Sequence, residues 1–145
     1  MTVSATLPSA TLLRDQLDHW ARVRPEAAAM TFGQQTFTWE RWRQRILRLT
    51  GALRAAGVGV GDRLAVLDLN HLATVELTLA ASSLGAATVV VNFRLSPDQV
   101  RFVLTDSRPV ILFHGSQFAE VADAHPPGCH RAQRGLQRRD RDGDQ

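Results

Sequence analysis

The chain contains no lysine and no tyrosine: all 17 of its cations are arginine, set against 14 acids over 145 residues. Lysine's absence excludes a Schiff-base nucleophile, a P-loop lysine and any ammonium point charge clamping a carboxylate or phosphate. A single cysteine, Cys129, excludes an internal disulfide and a multi-cysteine zinc centre. No basic, apolar leader occupies the first dozen residues, so they do not read as a secretory signal. Long uncharged runs are nearly absent too. The one candidate, Leu72 to Val91, carries only Glu76 as a charge, but hydroxyl residues and Gly85 interrupt it. A buried helix followed by a short strand accounts for that window better than a membrane span. These features predict a soluble, cytoplasmic protein.

What is present suits one domain, with 44% hydrophobic residues. Thr11 to Val23 carries Leu13, Leu17, Trp20 and Ala21 at helical spacing, closed by Pro25. Residues 28–32 and 36–38 flank Gly33-Gln34-Gln35, which predicts a β-hairpin with a three-residue loop. Thr38 is placed to cap a helix whose inward stripe is Trp42, Ile46, Leu49 and Leu53, ending at Gly57. Strands are then expected at 63–69, 88–91 and 110–113, separated by helices at 72–84 and from Ser96-Pro97-Asp98 onward, with a last short helix at 117–124. Strands alternating with helices imply βαβ units and a parallel sheet. The fold class expected is α/β, an N-terminal helix and hairpin followed by an incomplete parallel sheet.

Composition changes near residue 125. Residues 126–145 hold five Arg and three Asp, with Cys129, Ala132 and Leu136 the only apolar side chains. Ordering twenty residues costs on the order of 30 kcal/mol, and burying three modest apolar groups returns roughly 2 kcal/mol each. The expected organisation is therefore a flexible 1–10, a structured 11–124 and a disordered 125–145. The clustered arginines suggest a nucleic-acid arm, but interleaved Asp140, Asp142 and Asp144 and the lack of aromatics argue against it.

Candidate chemistry is thin. Gly57-Val58-Gly59-Val60-Gly61 resembles a dinucleotide loop only superficially, since it follows a helix and precedes a strand. Ser82-Ser83-Leu84-Gly85 ends a helix, and no lysine follows. His71 falls at a strand-to-helix crossing and reads as a helix-start residue rather than a catalyst. Glu76 could be a buried functional carboxylate, although a solvent-facing position is the expectation. His125, Cys129 and His130 lack a fourth ligand at zinc-like spacing. No catalytic, cofactor-binding or metal-binding residue is assigned.

Segment order carries more than any single motif. Thr36-Phe37-Thr38-Trp39-Glu40, Leu49, Leu53-Arg54-Ala55-Ala56-Gly57-Val58 and Gly61-Asp62-Arg63-Leu64-Ala65-Val66 follow one another. Asn70, Glu76, Leu84-Gly85-Ala86, Val91-Asn92-Phe93-Arg94-Leu95-Ser96-Pro97 and Phe102-Val103-Leu104-Thr105-Asp106-Ser107 complete the series. From about Leu12 to Ala124 this resembles the N-terminal part of AMP-forming acyl-CoA synthetases, and Asn-x-Arg-Leu-Ser-Pro is especially similar to the fatty-acid–CoA ligase branch. The resemblance implies ATP, Mg²⁺ and coenzyme A as reactants of a two-step acyl transfer. It also implies a loop ending in Pro-Lys-Gly and a catalytic lysine, both beyond the matching region. None of these reactants is expected to bind well here.

Three readings follow. The first is a truncated synthetase, inactive alone, with residues after about 125 translated out of frame. The second is one half of a split synthetase. The third is a non-catalytic binding module. Exposed apolar surface left by an incomplete domain predicts self-association.

Overall fold

The computed structural model describes residues 13–123 and 128–133. It begins with α1 (Leu13–Val23), which buries Leu17 and Ala21. A hairpin of β1 (Ala28–Phe32) and β2 (Gln35–Thr38) follows as a separate two-stranded sheet. Gln35 pairs with Phe32, so the turn is Gly33-Gln34, one residue shorter than expected.

Helix α2 (Trp39–Ala55) starts at Thr38, whose hydroxyl accepts from the Arg41 amide at 3.3 Å. Its inward stripe is Trp42, Ile46, Thr50 and Leu53. Its end is a Schellman turn. Val58 N donates to Leu53 O and Gly57 N to Arg54 O, each at 3.0 Å, with Gly57 at φ +87°. Such a left-handed residue costs a side-chain-bearing amino acid about 1 kcal/mol or more, and glycine avoids that cost.

The main sheet holds β3 (Arg63–Leu67), β4 (Ala87–Val90), β5 (Ile111–His114) and β6 (His130–Gln133). Its order is β4-β3-β5-β6 and every pairing is parallel. Helix α3 (Leu72–Ser83) links β3 to β4, and α4 (Pro97–Ser107) links β4 to β5. A 3-10 turn (Ser116–Phe118) and α5 (Ala119–Ala122) follow β5. The Leu72 to Val91 window is thus a helix, a turn and a strand. Among the described residues no helix is long and apolar enough to cross a membrane.

Both sheet faces are covered, as parallel sheets require. Leu64 and Val66 pack with α1, α2 and α3, while Ala65 and Leu67 pack with α4 and α5. Consecutive β3 residues therefore enter opposite cores, which explains the unbroken apolar run from Leu64 to Leu67.

Strand β6 corrects the expectation of a disordered tail for residues 128–133. His130 pairs with Ile111, and its amide donates to Val110 O at 2.9 Å. Cys129 is buried in the α4–α5 core. The energy balance drawn from composition counted side chains only. A free β5 edge offers a row of backbone donors and acceptors that any non-proline segment can satisfy. Residues 1–12, 124–127 and 134–145 lie outside the described residues, and with them the expectation of a flexible 1–10 and most of the out-of-frame expectation for the tail.

Candidate functional site

In an open α/β sheet, ligands bind at the carboxyl ends of the strands where the chain reverses its direction of winding. The order β4-β3-β5 places that point between β3 and β5. Two loops leave the strands there, Asp68 to His71 after β3 and Gly115 to Gln117 after β5, while Asn92 to Leu95 follow the neighbouring β4.

The β3 and β5 loops are tied together. Gly115 N donates to Leu67 O at 3.1 Å, extending the ladder one step past the strand. Gln117 Nε2 donates to Asp68 Oδ1 at 3.1 Å, and the same oxygen accepts from Leu69 N at 2.8 Å. A side chain at Gly115 would collide with both groups: an added Cβ would meet Asp68 Oδ1 and lie 2.6 and 2.7 Å from the Gln117 amide atoms. These neighbours are the ends of flexible side chains, so the contact marks how closely the β5 loop approaches Asp68 rather than a strict need for glycine. Asn92 Oδ1 accepts from Arg94 N at 3.0 Å, a local turn that readies the capping box of Ser96 and Gln99 on α4.

His71 is the N-cap of α3. Its Nδ1 accepts from Ala73 N at 3.0 Å, and its ring meets Phe32 edge-on at 4.7 Å. The helix-start reading holds. The imidazole Nδ1, accepting from a backbone donor, caps the helix while its ring packs against an aromatic.

Glu76 departs from its expected solvent-facing position. It is 7% exposed and paired with Arg45 of α2, Nε to Oε1 at 2.6 Å and Nη2 to Oε2 at 3.1 Å. The Arg45 guanidinium also sits 4.8 Å from the Phe37 ring centre. One cation thereby joins the hairpin, α2 and α3. Both carboxylate oxygens are engaged by the guanidinium, which ties α3 to α2. From the sequence, Arg45 falls among the arginines set mostly on other faces of α2, with no partner assigned. The available signal was that a lone acid in an apolar helix requires a cation, and Arg45 borders the inward stripe at Ile46.

The remaining candidates disperse. Gly57 to Gly61 join α2 to β3, away from the carboxyl edge of the sheet. Ser83 Oγ donates back to Leu79 O at 2.9 Å at the end of α3. Cys129 is buried, and that burial pushes its thiol pKa above the ordinary value of 9.0, against a smaller opposing effect of a backbone hydrogen bond at Leu112. A thiol held protonated is a poor nucleophile. His125 lies outside the described residues. Among the described residues no three His, Cys, Asp or Glu side chains gather to hold a metal.

The fold and its relatives decide the family. A profile described as AMP-binding enzyme matches residues 17–142, through β6 and into the segment read from composition as a tail. The chain belongs to the AMP-binding enzyme family. Among its relatives in that family, a feruloyl-CoA synthase of an Amycolatopsis species is 39% identical over 108 residues, 74% of this chain and 22% of that protein. A long-chain-fatty-acid–CoA ligase of Thermus thermophilus is 32% identical over 126 residues, 79% of this chain and 23% of that protein. The fold is also similar to the N-terminal domain of FACL13 from Mycobacterium tuberculosis. The TM-score is 0.79 at 28% identity, over 86% of this chain and 34% of that one. The chain spans between a fifth and a quarter of the length of the curated relatives it matches.

Proposed function

We propose that this chain forms the N-terminal part of an AMP-forming ligase joining a carboxylic acid to coenzyme A, and that these 145 residues alone do not catalyse the reaction. In the reaction proposed, a carboxylate attacks ATP to give an acyl-adenylate and pyrophosphate. The thiol of coenzyme A then displaces AMP. Holding a triphosphate beside an anionic nucleophile demands concentrated positive charge and preorganised donors.

The observation that carries the proposal is the contrast between fold and chemistry. The doubly wound sheet and its switch point are present, with Gln117 hydrogen-bonded to Asp68 across the β3 and β5 loops. No lysine exists anywhere in the sequence to take the two lysine roles that the family resemblance implies. What the chain contributes is a scaffold: three α/β crossovers that set the carboxyl edge against which the reaction centre is built.

A fatty acid is the favoured substrate class, on the Asn92-x-Arg94-Leu95-Ser96-Pro97 segment and the Thermus relative, with cytoplasmic location to match. The Amycolatopsis relative supports an aromatic propenoic acid as the second choice. Calorimetric titration of the 145-residue chain with MgATP, palmitate and ferulate tests the scaffold reading. Absence of saturable binding is expected for all three. Stoichiometric MgATP binding would overturn it.

A further inference from the structure

We draw no further inference here: the strongest candidate, the exposed face of α2 that carries Arg41, Arg48 and Arg54 and no acid, is a charged surface patch for which nothing in the structure shows what covers it.

Discussion

Arg45 of α2 and Glu76 of α3 meet in a two-point ion pair whose two ends differ in solvent access: the Glu76 side chain is 9% exposed, that of Arg45 32%. The pair fixes the angle between the two helices that carry much of the α1–α2–α3 core. Its asymmetry makes the cost of breaking it depend on which partner is removed. Arg45→Met leaves a buried, unpaired carboxylate and should cost about 3 kcal/mol. Glu76→Gln leaves a guanidinium that can turn toward water, and should cost about 1 kcal/mol. The double variant Arg45→Met/Glu76→Leu should recover most of the loss. Urea denaturation of the three variants measures all of this, and equal costs for the two single variants would refute the asymmetry.

His71 makes two separable contributions at the start of α3. His71→Ala removes both the cap and the edge-on contact with Phe32, and should cost about 2 kcal/mol. His71→Asn restores a capping acceptor without the ring, and should recover about half of that. Thermal melts of the two variants decide it. If Asn is no better than Ala, the hydrogen bond to Ala73 contributes nothing.

Burial of Cys129 gives a signed pH dependence. Its thiol pKa is raised on folding, so the folded chain holds the proton that the unfolded chain releases. This contribution is fully present below the ordinary pKa of 9.0 and is lost as pH rises from there through the folded value. Stability should fall above about pH 9 in wild type and fall less in Cys129→Ala. Denaturation midpoints between pH 8 and about 10.5 supply the comparison. Parallel curves for the two proteins would show that the thiol does not titrate on unfolding.

Strand β6 makes a prediction about one amide. His130 N donates to Val110 O at 2.9 Å, so its exchange with solvent should be slowed at least about a hundredfold relative to an unstructured peptide. Removing residues 128–145 should uncover the β5 edge and promote aggregation. Hydrogen exchange and light scattering test the two statements independently. Free exchange at His130 would restore the disordered-tail expectation.

The elements that were legible in the sequence share a property: their signal is local. Thr38 and Ser96 announce α2 and α4 because a cap lies within three residues of the amide it serves. Gly57 ends α2 because its own backbone adopts the left-handed turn. What escaped notice depends on partners far away in the chain. Arg45 and Glu76 are 31 positions apart, so a lone acid in an apolar helix calls for a cation without saying which arginine supplies it. Gly115 looks like any loop glycine until Asp68 is brought across the crevice onto it. β6 escaped because its stabilising bonds are backbone bonds to β5, invisible to a count of apolar side chains.

The central claim is that the chain has the scaffold of an acyl-CoA ligase without its chemistry. ATP–pyrophosphate exchange tests it most directly, with the 145-residue chain, MgATP and either palmitate or ferulate. The account predicts no exchange above background with either acid. Carboxylate-dependent exchange by the chain alone would contradict it, because a sequence without lysine would then be forming an acyl-adenylate.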